Sequence, residues 1–513
     1  MAKFFNTAGF CNPEEHYMVD PLKRLTEVEY LIKKKLYFTI HAPRQTGKTT
    51  YLYALAKKLN QEGHYICLVV SFESAGVASL TLNEANSILI DSIYNASIEQ
   101  LPPEERPENP KNNEYIHLKN YITKWCRTQK KPIVLLIDEI DSLLDDVLIL
   151  VLRNLRDGYQ FRPKAFPSSV ALVGLRDVRE YRAKIRPESN SLGTASPFNI
   201  KAESLMLNNF TKQEVFELLE QHERETKQRF PLEVKEEIFT LSNGQPWLVN
   251  AIANQIVRGI FKDDYSKQIT LYVVNEAKNQ LILRRDTHLD SLADKLKEDR
   301  VKRLVQSIIN GESINFNILD DDLVYMRDLG LVSQTSPLKF ANSIYAEIIL
   351  RIMLSPIEVT IPEKIQTAWF LNVDRTLNMD KVLKEFQQFY RRNSEFWLNR
   401  YEYRESAQHL LLLAFLQRIV NAGGEIIHEM ALGNNRLDLL VKFQDQEFAL
   451  ELKIWRDSYT IDDGKEQLSG YLDKLGLKEG YLVIFDPREK SWEDKIYTKK
   501  IIFEDKTITM VGL

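Results

Sequence analysis

The stretch His41-Ala42-Pro43-Arg44-Gln45-Thr46-Gly47-Lys48-Thr49-Thr50 constrains this chain more than any other. It follows the apolar, β-prone run Leu36-Tyr37-Phe38-Thr39-Ile40 and precedes a helical run from Tyr51 to Leu59 that ends near Gly63. Strand, tight loop and helix in that order gather backbone N–H groups and a helix N-terminus around one point, the arrangement that cradles phosphates. Lys48 would then reach the β- and γ-phosphates, and the Thr49 hydroxyl would ligate Mg²⁺. Ala42, Pro43, Arg44, Gln45, Thr46, Gly47 and Thr50 complete the expected nucleotide-binding set. Ala42 stands where the motif opens with glycine. Ala does not take positive φ as cheaply, so the turn is expected to be built slightly differently there.

A partner motif follows in Lys131-Pro132-Ile133-Val134-Leu135-Leu136-Ile137-Asp138-Glu139. The unbroken apolar run from Ile133 to Ile137 suits a central parallel strand covered on both faces. At its end Asp138 would hold the Mg²⁺ water shell and Glu139 would polarise an attacking water. Tyr65 to Phe72 and Ser169 to Asp177 read as further buried strands. Arg176, at the tip of the latter, is placed to sense a γ-phosphate. Arg153, Arg156 and Arg162 are finger candidates if subunits meet, although a solvated basic helix face is the favoured reading. Ser196 to Ile200 ends this core. Thr211 with Glu214 forms a capping-box signature and opens a helical lid that contains the turn Asn243-Gly244-Gln245-Pro246-Trp247.

On these motifs, residues 8–262 resemble the STAND and AAA-like P-loop ATPases. The resemblance implies ATP and Mg²⁺ as cofactors. It also implies a Gly-x-Pro turn beside the adenine, which places Pro246 there, and a sensor arginine after the fourth strand, which is Arg176.

With 513 residues the chain is long enough for two to four domains. A net charge of −4 sets up no global basic field, so contact with nucleic acid must come from local patches. The cysteines Cys11, Cys67 and Cys126 are far apart and read as reduced thiols of a cytoplasmic protein. The N-terminus lacks a signal-peptide apolar stretch, and the apolar helix around Leu410 to Val420 is too short to span a bilayer, so no membrane partner is expected.

Residues 285–355 read as helix, strand, turn, strand and helix, the pattern of a winged helix. Few basic residues line Asp320-Asp321-Asp322, so a spacer is favoured over a DNA-docking module. Residues 356–400 form a linker. The aromatics between Phe386 and Tyr403 recur at helical spacing and read as core rather than as a base-stacking stripe.

The last segment carries a second constellation. Glu405 starts an amphipathic helix that ends at Ala422-Gly423-Gly424. Strands follow at Glu425-Ile426-Ile427, at Arg436 to Val441, and at Glu447 to Ile454. Two-residue periodicity sets Glu451 and Lys453 on one face of their strand and Leu450, Leu452 and Ile454 on the other. Two carboxylates, Asp438 and Glu451, beside an ammonium are costly to bring together unless a divalent metal neutralises them. A metal held there would polarise a phosphodiester and acidify a bound water. This pattern resembles the PD-(D/E)XK nuclease superfamily. Asp438 and Glu451-Leu452-Lys453 match its central elements, and Glu405 its first acidic residue. Gln467 with Tyr471 matches the Gln-x-x-x-Tyr element of its helicase-linked exonucleases. Leu437 stands where the pattern has proline. The resemblance implies Mg²⁺ or Mn²⁺ at a catalytic site of Glu405, Asp438, Glu451, Lys453, Gln467 and Tyr471.

The expected fold is therefore a multidomain α/β chain. It has a P-loop NTPase core with a parallel sheet (1–200), a helical lid (201–284), a winged helix (285–355), a linker (356–400) and a restriction-endonuclease-like domain (401–513). The expected function is an ATPase that controls a C-terminal nuclease, in a setting such as defence against foreign DNA. Its partners would be nucleic acid, DNA first, and further copies of the chain. The rivals are a nucleotide-switched signalling scaffold with a non-cleaving nuclease fold, and a DNA-remodelling ATPase.

Overall fold

The structure is a computed structural model. It describes residues 3–513 apart from 111–116, 144, 176–199, 285–291, 293, 310–319, 336–337, 350–351, 353–369, 401–407, 409–410, 414, 417–423, 433–434, 456, 458 and 489. The chain forms two compact units, 1–290 with 317–344, and 291–316 with 345–513.

The first unit is organised by alternating strands and helices. In chain order these are α1 (Glu27–Lys33), β1 (Tyr37–His41), α2 (Lys48–Glu62), β2 (Ile66–Ser71), α3 (Leu82–Gln100), α4 (Leu118–Thr128), β3 (Ile133–Asp138), α5 (Asp145–Gly158), β4 (Ser169–Gly174) and β5 (Lys201–Met206). All pairings are parallel, in the order β2-β3-β4-β1-β5. Parallel strands need crossover connections, and the helices that make them cover both faces of the sheet. Strand alternation divides the core accordingly. Ile133, Leu135 and Ile137 pack with α3, α4 and α5, while Val134 and Leu136 pack with α1 and α2. Each such fully buried side chain contributes about 1.5–3 kcal/mol relative to exposure. β5 adds an edge strand beyond Ile200, where the sequence reading ends the core. Its residues Lys201, Ala202 and Glu203 are not buried, and a half-exposed edge carries little apolar signal.

After the sheet come α6 (Lys212–Thr226), α7 (Leu232–Ser242), α8 (Pro246–Asn254), a π-helical turn (Gln255–Ile260) and α9 (Leu271–Arg284). The Thr211 and Glu214 capping box forms as expected: Glu214 N–H donates to Thr211 Oγ1 at 3.2 Å and Thr211 N–H to Glu214 Oε2 at 2.7 Å. The segment read as a winged helix is shared between the units. α10 (Asp299–Ile309) counts with the second, whereas α11 (Asp321–Asp328) and the antiparallel Val332–Phe340 bridge count with the first.

The second unit holds α12 (Met379–Arg400), β6 (Gly424–Leu432), β7 (Asn435–Phe443), β8 (Gln446–Ile454), α13 (Thr460–Leu475), β9 (Glu479–Phe485), β10 (Tyr497–Phe503) and β11 (Lys506–Gly512). Its mixed sheet runs β10-β11-β9-β8-β7-β6. α13 covers one face through Leu468, Tyr471 and Leu472, packed on Leu440, Ala449 and Leu482. α12 covers the other, where Tyr390 meets Phe485 at 5.6 Å and Phe386 is fully buried. The buried Phe386 and Tyr390 thus belong to the core. Among the described residues no helix is long and apolar enough to cross a membrane.

Candidate functional site

The loop between β1 and α2 is closed by its own polar groups. Ala42 is fully buried, and its N–H donates to Gly174 O at 3.2 Å, so it prolongs the sheet. The left-handed positions are Gln45 (φ 58°) and Gly47 (φ 90°). Ala at position 42 is therefore tolerated, because the turn does not ask it for positive φ. Thr46 Oγ1 donates to Pro43 O at 2.8 Å. Lys48 Nζ, in the first turn of α2, donates to Ala42 O at 2.9 Å and Pro43 O at 3.1 Å, which holds the ammonium over the loop. Burial pulls the Lys48 ammonium below its ordinary pKa, while the nearby Glu139, Asp141 and Asp138 push the other way.

Two strands away, the end of β3 meets this loop. Thr49 Oγ1 donates to Asp138 Oδ2 at 2.7 Å, and Asp138 Oδ1 accepts from the Glu139 N–H at 3.0 Å. Asp138 is 3% exposed, and burial raises its carboxyl above the usual range against these two donations. Glu139 is raised too, by burial first and then by Asp138 and Asp141. Glu139 adopts φ 55°, a left-handed conformation unusual for a residue with a side chain, followed by the 3₁₀ turn Ile140–Ser142. Such strain persists only where surrounding contacts over-determine it, and it gathers at functional sites. Ser142 supplies two of those contacts by donating to Glu139 O from Oγ and from N–H.

Beside the loop opens a cavity of about 110 Å³. Gln45, Thr46, Gly47 and Thr50 form one wall, the N-terminal segment around Thr7 and Met18 another, and Phe210, Pro246 and Trp247 of the lid a third. Pro246 opens α8 at its first position, where the missing N–H costs nothing. Gly244 (φ +69°) makes the preceding turn, and a Cβ there would come within 1.9 Å of Phe210 O. Gln245 caps α8 by accepting from Leu248 N–H at 2.6 Å. Trp247 Nε1 donates to Thr7 O at 2.9 Å, and Cys11 N–H donates to Thr50 Oγ1 at 3.0 Å. Arg24 Nη1 donates to Thr46 O at 2.7 Å, and its guanidinium lies 4.9 Å from the Phe210 ring centroid. Arg24, Thr7 and Trp247 carry no sequence signal for this role, since their partners are backbone carbonyls or a ring far along the chain.

Gly330 (φ +71°), in the turn after α11, also reaches the loop: a Cβ on it would lie 2.6 Å from Pro43 Cγ. Asn243 Nδ2 donates to Ala341 O at 2.9 Å. The segment 317–344 thus touches both the phosphate loop and the lid turn. Arg153 and Arg156 are exposed on α5, as both the solvated-face and the finger readings require. Arg162 is turned inward instead, stacked 3.5 Å from the Tyr159 ring centroid and donating to Tyr159 O.

In the second unit, Glu451 and Lys453 share a face as the strand period requires, with Lys453 Nζ 3.1 Å from Glu451 Oε1. Glu451 is 2% exposed. Lys453 also donates to Gln467 Oε1 at 2.7 Å. Gln467 Nε2 donates to both oxygens of Asp463, at 2.9 and 3.0 Å, and Asp463 Oδ2 lies 3.3 Å from Lys453. Asp463 is one helical turn before Gln467, a spacing that could have flagged it. Gly464 lets α13 approach, because a Cβ there would meet Leu482 at 2.7 Å and Lys453 at 3.3 Å. Tyr471 is buried in the core between helix and sheet. The β7–β8 ladder pairs Leu439 with Leu450, so Asp438 and Glu451 are the next residues along it. Arg176, Glu405 and the side chain of Asp438 lie outside the described residues. Among the described residues no group of three or more His, Cys, Asp or Glu is gathered as for a metal ion.

The family described as an AAA-like domain matches residues 15–347. No curated protein matches the chain. Among solved structures, the Walker-type ATPase PABY2304 of Pyrococcus abyssi shares 14% identity, with 67% of this chain and 99% of that one covered and a TM-score of 0.47. Cdc6p from Pyrobaculum aerophilum shares 14% identity over 64% of this chain and 92% of its own, with a TM-score of 0.36. The RuvB Holliday junction branch migration motor of Thermotoga maritima shares 15% over the same fractions, 64% and 92%, with a TM-score of 0.33.

Proposed function

This chain belongs to the AAA-like domain family, and from that premise we propose that its first unit binds and hydrolyses ATP and thereby controls a metal-dependent nuclease in its second unit. The observation that carries the ATPase reading is the 2.7 Å contact of Thr49 with Asp138, which joins the phosphate loop to the acidic strand end. Both are hard oxygen donors suited to Mg²⁺, which takes few protein ligands and keeps most of its waters. Thr49 and Asp138 would hold that ion, and it would offset charge on the β- and γ-phosphate oxygens. Lys48 exchanges the carbonyls of Ala42 and Pro43 for phosphate oxygens. Glu139 accepts a hydrogen bond from the attacking water and aims it in line with the leaving phosphate. Phe210, Pro246 and Trp247, which line the cavity, would enclose the nucleoside.

For the second unit, the reading rests on Glu451 and Lys453 near the end of β8 and on Gln467 of α13. Glu451, with Asp438, would hold Mg²⁺ or Mn²⁺. Lys453, positioned by Gln467, would stabilise charge on the phosphodiester. Control is supported by the turn at Gly330, which lies on Pro43 of the phosphate loop in the segment leading to residue 345. A restrained nuclease of this kind suits defence against foreign DNA.

One observation favours a second reading, in which the sheet binds without cutting. Lys453 is already paired with Glu451 and Asp463, so part of the carboxylate charge is offset without a metal. The deciding experiment incubates the purified chain with plasmid, single-stranded DNA and RNA, with and without ATP and Mg²⁺ or Mn²⁺. Metal-dependent cleavage that changes several-fold with nucleotide supports the first reading. Binding without cleavage under every condition supports the second.

A further inference from the structure

β8 does not end its chemistry at Lys453. Trp455, two residues on, prolongs the ladder through its N–H to Phe485 O at 2.8 Å. Strand alternation sets it on the face of Glu451 and Lys453, about 7 Å beyond the lysine along the strand. From the loop after the neighbouring strand β9, the Arg488 guanidinium lies 4.0 Å from the Trp455 ring centroid and the Lys490 ammonium 6.0 Å from it. Asp486 grips that guanidinium with two bonds, Nε–H to Oδ1 at 2.7 Å and Nη2–H to Oδ2 at 2.5 Å. Lys490 lies 3.6 Å from the same carboxylate. The guanidinium is thus held over the indole, and the two form one platform.

Tyr459 stands at the N-terminal end of α13, the helix that meets Lys453 through Gln467. It is 76% exposed, and its backbone already has the helical φ of −81°. Asp463 N–H donates to Tyr459 O at 2.9 Å. Tyr459, Asp463 and Gln467 therefore follow one another at four-residue spacing on the face of α13 that meets Lys453. The turn beneath Tyr459 is fixed, because Asp457 Oδ1 accepts from the N–H groups of Tyr459 and Thr460 at 2.9 and 3.1 Å. An aromatic ring held out in water on a fixed turn, in line with a catalytic lysine candidate, is a preorganised stacking surface.

Charge narrows what it can stack. Arg488 and Lys490 are offset by Asp486, and Asp457 and Asp463 are near, so this sheet end has no strong cationic field. Duplex nucleic acid offers phosphates outward and keeps its bases stacked on one another, and it would find little here. An unpaired base offers its ring face. The geometry points to a single-strand subsite at this sheet end. In it an unpaired base of DNA or RNA stacks on Tyr459, the Trp455–Arg488 platform supports the adjoining nucleotide, and the strand leads to Glu451 and Lys453. The fate of the strand rests on the nuclease reading above, whereas its binding does not.

The test is fluorescence anisotropy of the full chain with labelled single-stranded DNA, single-stranded RNA and blunt duplex of one sequence, in EDTA so that nothing is cut. Tyr459→Ala loses about tenfold in single-strand affinity, keeps its duplex affinity, and loses as much at high salt as at low salt. Tyr459→Phe, which keeps the ring, stays within twofold of the wild type. No single-strand binding by the wild type overturns the subsite, as does an equal loss on duplex, a loss that vanishes at high salt, or an equal loss in Tyr459→Phe. The arms with DNA and RNA tell which strand is preferred. A parallel cleavage assay in Mg²⁺ separates the two readings. Cleavage by wild type with unchanged binding in Tyr459→Ala removes the subsite alone. The predicted binding loss without any cleavage removes the nuclease alone.

Discussion

Replacing Gly244 by Ala tests how far the lid turn governs the nucleotide site. The substitution adds one methyl group and meets two separate penalties. At φ +69° an L-residue pays about 1–2 kcal/mol for the left-handed backbone. The new Cβ would lie 1.9 Å from Phe210 O, a backbone atom that cannot swing away. Relief requires the two segments to part, which stretches the Phe210 N–H bond to Gly244 O, now 2.8 Å, at a net cost of about 0.5–1.5 kcal/mol. With a partial loss of packing the sum is about 2–4 kcal/mol, placed on the turn that holds Phe210 and Pro246 against the cavity. If nucleotide binds only the native lid position, affinity falls by at most roughly 30- to 700-fold, at tenfold per 1.4 kcal/mol, the ceiling applying where the native lid position is only marginally favoured. Titration with a fluorescent ADP analogue reads the affinity, and hydrogen exchange over residues 207–254 reads the local opening. Gly63→Ala is the control: its φ is +75°, yet its Cβ would meet nothing within 4 Å, so it pays the backbone penalty alone and leaves affinity near the wild type. The reasoning is refuted if Gly244→Ala binds nucleotide within twofold of wild type and exchanges no faster, or if both variants behave alike.

Lys48→Ala should lower ATP affinity at least tenfold and remove any dependence of cleavage on nucleotide, both read at fixed excess Mg²⁺. Glu139→Gln should bind ATP normally and release phosphate at least a hundredfold more slowly; undiminished turnover would remove its role. Because burial and Asp138 raise the Glu139 carboxyl, the folded state holds that proton more tightly than the unfolded chain. Its contribution to stability therefore falls as pH rises through the raised pKa, while turnover, which needs the carboxylate, falls as pH drops through it. The acid limb of the rate profile should lie above the ordinary range for glutamate, and a limb at or below that range would contradict the burial argument. Glu451→Gln and Lys453→Ala should each abolish cleavage and leave ATP turnover within twofold. In Glu451→Gln, calorimetry should also show lost Mn²⁺ binding relative to a Lys48→Ala background. Cleavage that persists in EDTA would place the chemistry elsewhere.

Local order was legible from the residues alone wherever neighbours in sequence are neighbours in space. Lys48 and Thr49 follow a tight loop into a helix, Ile133 to Ile137 form a strand buried on both faces, and Glu451 and Lys453 share a strand face. Each follows from backbone periodicity and from the need to bury apolar side chains, which act over a few residues. The Thr211 capping box is of the same kind. What spans long sequence separation was decided only when the chain closed. The parallel order β2-β3-β4-β1-β5 brings Thr49 to Asp138, and no local pattern states that register. The same closure shows that Ala42 needs no positive φ, since Gln45 and Gly47 carry the turn, and that Glu139 is held at φ 55°. It turns Arg162 inward onto Tyr159 and sets Gly330 on Pro43. Arg24 and Trp247 are drawn to the cavity through the carbonyls of Thr46 and Thr7, groups that every residue possesses. A backbone carbonyl leaves no mark in the sequence, so contacts made through it belong to the tertiary structure, whereas the spacing of side chains on one helix or strand is already written in the order of the residues.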